Sequence, residues 1–179
     1  GLARAKLGEL SAERREINEQ LAEFKQMSRE LKRMIDTGKL QVTFRCGRMI
    51  VELPAQVLFP SGSADLSAEG KEALGQVAKS LRGFQSRHFI VAGHTDNVPV
   101  SGRFASNWEL STARAVNVTE ALIRGGLRPE QLVAAGYGEH DPIARNVSEA
   151  GKQKNRRIEI VLEPRLRELP GAKLPGAKK

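Results

Sequence analysis

Gly93-His94-Thr95-Asp96 closes a short apolar run, and Leu110-Ser111-Thr112-Ala113-Arg114-Ala115 follows downstream. One carboxylate and one guanidinium held at the ends of rigid elements can grip a small zwitterion. The aspartate takes an ammonium, and the arginine takes a carboxylate as a planar two-donor fork. Binding, more than bond cleavage, is the chemistry such a pair suggests. On residue type alone, Asp96 equally suits a loop cap and Arg114 a surface helix charge.

Other chemistries lack their parts. Glycoside cleavage needs two carboxylates roughly 5–10 Å apart across a sugar bond, and amide cleavage needs a metal or an activated nucleophile. His94, Asp96 and Glu139 offer no clear acid and base, no serine sits in a nucleophile elbow, and Cys46 falls on a turn without a partner. The single cysteine excludes an internal disulfide, and Cys46, His88, His94 and His140 do not have zinc-site spacing. We expect no catalytic residue, no metal and no cofactor.

The elements that would position the pair are readable from periodicity. His88-Phe89-Ile90-Val91-Ala92 is a β-branched, apolar strand leading into the Asp96 turn. A polar loop from Asn97 to Asn107 precedes a helix running through Arg124 and closed by Gly125-Gly126. Upstream, Leu40–Phe44 and Met49–Leu53 flank Cys46-Gly47 as a β-hairpin, Val57-Leu58-Phe59 is a short apolar element, and Ser67 caps a helix with Ala73, Leu74, Val77, Ala78 and Leu81 inward. Downstream, Leu132–Ala135 is a strand, Gly136-Tyr137-Gly138-Glu139 a turn, and Arg157–Leu162 a last strand with one face wet. The expected class is α+β, a mixed sheet with helices packed on one face.

Residues 3–35 read as heptads, with Ala3, Leu10, Ile17, Phe24 and Leu31 at one seam position and Leu7, Arg14, Leu21, Ser28 and Ile35 at the other. An apolar stripe on an otherwise charged helix needs a partner. Either a second copy of this helix or the following domain supplies it, and the length of the stripe favours a homodimeric coiled coil. The expected division is a helical linker at 1–38, a globular domain at 39–164 and a disordered basic tail at 165–179.

The net charge of +8 does not indicate a nucleic-acid binder: half of the excess lies after residue 164, the rest is scattered, and aromatics are few. No apolar run approaches the roughly 20 residues that span a bilayer. The chain opens at Gly1 with no charged-then-apolar leader, so a membrane segment or anchor upstream is expected in the full-length protein.

Four motifs in this order carry a resemblance: Gly93-His94-Thr95-Asp96, Asn107 with Leu110-Ser111 and Arg114-Ala115, Gly136-Tyr137-Gly138-Glu139 with Pro142-Ile143-Ala144 and Asn146, and Asn155-Arg156-Arg157-Ile158-Glu159. Together they resemble the OmpA-like peptidoglycan-binding domain over roughly residues 40 to 163. The Asp96-Asn97-Val98-Pro99-Val100 turn with its long loop is similar to the flagellar stator B-subunit (MotB-like) branch. The stator's membrane helix with its proton-carrying acid is not in this sequence. The acidic turn that porin-type members carry is here Pro60-Ser61-Gly62-Ser63, so that any contribution of Gly62 comes from backbone groups.

The resemblance implies non-covalent binding of meso-diaminopimelate in the peptide stem of the periplasmic cell wall, anchoring a membrane or motor-type complex. Asp96 would take the ammonium and Arg114 the carboxylate. Thr95, Asn97, Leu110 and Ser111 would shape the wall of the pocket, while Asn155 and Arg157 are further candidates, Arg157 as a ligand contact or as a strut to Asp96. The alternative is an assembly or dimerisation element with no wall binding.

Overall fold

Cys46 and Gly47 both adopt positive φ (50° and 72°), the conformation of a two-residue hairpin turn whose twist matches its strands. They join β1 (Gln41–Arg45) to β2 (Arg48–Pro54), with Arg45 opposite Arg48. In this computed structural model, which describes residues 2–163, the hairpin begins a five-stranded sheet of order β1-β2-β5-β3-β4. β5 (Arg157–Leu162) lies antiparallel between β2 and β3 (Phe89–His94), and β3 is parallel to β4 (Leu132–Gly138). The expected tail at 165–179 lies outside the described residues.

Before the sheet come α1 (Leu2–Glu30) and α2 (Lys32–Asp36). The one-turn α3 (Ala55–Leu58) follows β2 where a short apolar element was expected. Next is α4 (Ala68–Leu81), whose Ser67 side chain accepts from the Gly70 N–H as an N-cap. α5 (Asn107–Arg124), capped by Ser106, crosses from β3 to β4, and α6 (Glu149–Asn155) leads into β5. The fold is α+β, with a five-strand mixed sheet, helices packed on it and a long helix in front.

The core lies between the sheet and α4 and α5, built from Leu53, Leu74, Val77, Leu81, Phe89, Val91, Val118, Leu122, Ile158 and Ile160. α5 sits unusually close to the strands. A β-carbon on Gly93 would overlap the Ser111 carbonyl, and one on Gly136 would overlap the Thr112 hydroxyl, so glycine at both positions lets the helix seat.

Two expectations change. The Gly136–Gly138 segment is strand, not turn, because it pairs with Gly93 and His94 across a register shift in β3. The last strand has no wet face: all six residues of β5 are buried, Arg157 and Glu159 included, because a polar cluster roofs that side of the sheet. There Glu159 accepts from Arg45 (2.6 Å) and Arg157 (2.7 Å). Burial raises the Glu159 carboxyl, but the two guanidiniums outweigh it and hold the group below its ordinary value.

The apolar stripe of α1 divides. Just past the end of α1 the seam residue Leu31 is buried in the core with Met27 and Met34, which flank the seam, and the Phe24 ring stands 5.5 Å from that of Phe44. Leu7, Leu10, Ile17 and Leu21 are exposed. The globular part therefore covers the stripe's last turns and leaves the first five turns or so bare.

Candidate functional site

β3 ends by delivering Thr95, whose N–H donates to Gly138 O (2.8 Å), and then Asp96. Asp96 is 6% exposed and is fixed at both oxygens: Oδ1 accepts from the Val98 N–H (2.9 Å), and Oδ2 accepts from Arg156 Nη1 (2.6 Å). The other arm of Arg156 pairs with Glu149. Asn107, the first residue of α5, ties the loop back by donating to Val98 O and Glu139 Oε2, each at 3.0 Å.

Arg114, two turns into α5, is also 6% exposed. Its Nε donates to Ser63 O (2.9 Å), and its guanidinium lies 5.0 Å from the centre of the Phe59 ring. Among the described residues it makes no ion pair. Burial, with the positive charge of Arg156 adding to it and Asp96 opposing, lowers its pKa to about 10, so it stays charged at neutral pH.

Asp96 and Arg114 open into one cleft of about 460 Å³. Its floor and walls come from Phe59, Gly62, Thr95, Leu110, and the Val98–Ser101 loop, with Glu149 and Arg156 at one side. The charges are unevenly paired. Asp96, Arg156 and Glu149 form a carboxylate–guanidinium–carboxylate chain with one net negative charge, while Arg114 carries an unmatched positive charge.

Of the residues singled out from sequence, the cleft brings together Asp96, Arg114, Thr95, Leu110 and Gly62. Four others stand elsewhere. Asn97 is exposed and is not among the residues that line the cleft. Ser111 is fully buried on the sheet-facing side of α5, donating to Trp108 O and accepting from the Gly138 N–H. Asn155 holds the preceding loop, accepting from the N–H groups of Ile143 and Ala144 and donating to Ala144 O and Asn146. Arg157, 1% exposed, joins the opposite side of the sheet through Glu159 and Asp141 O, so the expected strut from Arg157 to Asp96 is replaced by Arg156.

Strand alternation carries the signal for that replacement. Arg157 and Glu159 share one side of β5, which leaves Arg156 with Ile158 on the other. His94 likewise faces the roofed side, stacked 4.9 Å from Tyr137, and not the side of Asp96. Among the described residues no group of three or more His, Cys, Asp or Glu is arranged to hold a metal ion. No described helix is long and apolar enough to cross a membrane.

The model of the OmpA family matches residues 58–156, more than half of the chain and including every charged residue of the cleft. The chain belongs to the OmpA family. This is a non-catalytic, peptidoglycan-binding family. Motility protein B of Bacillus subtilis (strain 168) is 36% identical over 119 residues, which are 65% of this chain and 46% of that protein. Among solved structures, a MotB-like protein from Desulfovibrio vulgaris superposes with a TM-score of 0.79 at 30% identity, covering 87% of this chain and 97% of that one. The cell wall anchor of the T6SS from Pseudomonas aeruginosa gives 0.70 at 33% identity, covering 76% and 95%. The chain spans about half the length of the motility proteins it matches.

Proposed function

We propose that this OmpA-family chain tethers a periplasmic envelope complex to peptidoglycan by clasping the free amino-acid end of meso-diaminopimelate in the peptide stem. The observation that carries this reading is the unpaired, buried guanidinium of Arg114 opening into the same cleft as Asp96. An ammonium would settle against the net-negative Asp96–Arg156–Glu149 chain, and the adjacent carboxylate would take the free N–H groups of Arg114. A ligand bearing both charges leaves neither pole of the cleft uncompensated.

Two charge-assisted contacts of about 1.5–3 kcal/mol each give only modest affinity for one stem. The exposed Leu7, Leu10, Ile17 and Leu21 suit pairing with the same helix of a second copy. A dimer gripping two stems of one mesh gains avidity from high local concentration. In this reading residues 22–163 form the wall-binding unit and the bare turns of α1 the pairing element; an anchor upstream would connect it to a membrane.

Cosedimentation with insoluble peptidoglycan tests the reading. The wild-type chain is expected in the pellet, and Asp96→Asn with Arg114→Lys in the supernatant. Unchanged pelleting of the variants would favour the second reading, an assembly element that works through α1 alone.

A further inference from the structure

On the other side of Phe104 from the cleft, the first turns of α5 bear a second, shallower concavity of about 560 Å³ lined by seven residues, among them Trp108, Thr112, Val116 and Asn117. Phe104 lines both hollows, and the neighbours Asn107 and Trp108 face one each, so the two adjoin across a single side chain. Trp108 is the only tryptophan in the chain and is 51% exposed. Its ring is not loose. One face stacks on His140 with centroids 4.9 Å apart and planes at 23°, and a β-carbon at Gly138 would stand in contact with the indole, 3.5 Å away. Phe104 carries the Arg103 guanidinium 5.1 Å from its ring centre.

We infer that this surface is a saccharide-binding platform, taking an N-acetylated sugar of the glycan strand whose stem peptide occupies the cleft. The inference rests on the clasp proposed above. A half-exposed indole held rigid from one side presents its free face to the C–H side of a pyranose ring, as aromatic platforms do for other flat, part-apolar partners. Val116 and Ala113 offer apolar contact for an acetyl methyl, while Glu109 and Asn117 at the rim offer hydrogen bonds to hydroxyl and amide groups. Three extended stem residues reach about 10 Å, the scale of a step between adjoining surface hollows. Seven lining residues suit one sugar, whereas a stable protein interface takes roughly 20–30 a side.

The test compares a tripeptide stem ending in meso-diaminopimelate with the same stem carrying its N-acetylglucosamine–N-acetylmuramic acid disaccharide. Binding is followed by calorimetry and by the emission of Trp108. The disaccharide ligand is expected to bind about 5-fold more tightly than the bare tripeptide and alone to shift the tryptophan emission. Trp108→Ala should abolish the preference while keeping tripeptide affinity, and Trp108→Phe should retain part of it. Equal affinities for the two ligands in the wild type, or a preference that survives in Trp108→Ala, would overturn the platform alone. Failure of both ligands to bind would overturn the clasp and the platform with it. A change of oligomeric mass in Trp108→Ala would assign the surface to self-association and overturn the sugar reading.

Discussion

Arg156 Nη1 stands 2.6 Å from Asp96 Oδ2, so the carboxylate that faces the cleft already has a cation beside it. The pair does not close the site, because Arg156 is shared with Glu149 and a carboxylate accepts several hydrogen bonds at once. Its effect is to hold Asp96 in one orientation. Asp96→Asn removes the charge but keeps the shape, and Arg156 retains Glu149. We expect this variant to lose at least 10-fold in affinity for the diaminopimelate stem while costing about 1–2 kcal/mol of stability. Calorimetry and urea unfolding on the same preparation measure both.

Arg114→Ala should behave differently, since this side chain also supports the fold. Its Nε bonds Ser63 O and its plane covers Phe59, holding the 60–63 turn against α5. Truncation should abolish stem binding and also lower stability by about 1–3 kcal/mol. Arg114→Lys should recover much of the stability without the two-donor fork and bind weakly. Equal unfolding midpoints for Arg114→Ala and wild type would contradict the structural part of this account.

Gly93→Ala tests the seating of the helix. The added methyl meets the backbone carbonyl of Ser111, which cannot swing aside as a side-chain tip would. We expect a loss of about 3 kcal/mol or failure to fold, since overpacking against backbone is poorly relieved. The same change at Gly75, where nothing lies within 4 Å, should be nearly neutral or mildly stabilising and is the control.

His94 predicts the acid behaviour of the domain. It is nearly fully buried, and neither ring nitrogen has a hydrogen-bond partner among the described residues. Burial and then the charge of Arg157 lower its pKa to about 4, against the pull of Glu159 and Asp141, each 3.7 Å from a ring nitrogen. Between pH 6.5 and about 4 the unfolded chain takes up a proton that the folded chain refuses, so stability falls as the pH drops through that window. The full loss from this group is about 3 kcal/mol and is complete below pH 4. His94→Gln should be less stable than wild type at pH 7 and should flatten this part of the profile in urea titrations. The depressed Glu159 adds a further loss that begins as the pH falls to the ordinary carboxylate value and is complete only once the folded carboxylate is itself protonated.

Two truncations separate the roles of α1. Removing residues 1–21 takes away Leu7, Leu10, Ile17 and Leu21, which touch none of the core, and should convert a dimeric mass to a monomeric one with the unfolding midpoint little changed. Removing residues 1–36 also strips Met27, Leu31 and Met34 and should destabilise the domain by several kcal/mol. A monomer in the untruncated chain at high concentration, by light scattering, would contradict pairing through α1.

Much of this architecture was legible before the coordinates. The Ser67 cap, the α5 boundaries and the Cys46-Gly47 hairpin follow from local rules that tertiary packing had no reason to override. That Asp96 and Arg114 share one cleft was readable from motif order, although local periodicity could not show that Arg114 lacks an ionic partner. Arg157 was the weakest inference: alternation along β5 assigns it with Glu159, but an arginine beside a motif reads as a ligand until the strand's neighbours are known. Met27 was invisible to the heptad reading because it flanks the seam, and the domain covers a face wider than the two seam positions, taking Met27 together with the seam residues Phe24, Leu31 and Ile35. Phe104 and Trp108 carried no periodic signal, and that they line one hollow is a matter of tertiary placement.

The central claim is that one cleft holds both charges of a single amino-acid terminus. The most direct measurement is calorimetric titration of the chain with two stem tripeptides that differ only at the third residue, meso-diaminopimelate in one and lysine in the other. Lysine there offers an ammonium without the neighbouring carboxylate, so Arg114 gains nothing from it. We predict at least a 10-fold preference for the diaminopimelate peptide that vanishes in Arg114→Lys; equal binding of the two peptides, or a preference untouched by that substitution, would contradict the account.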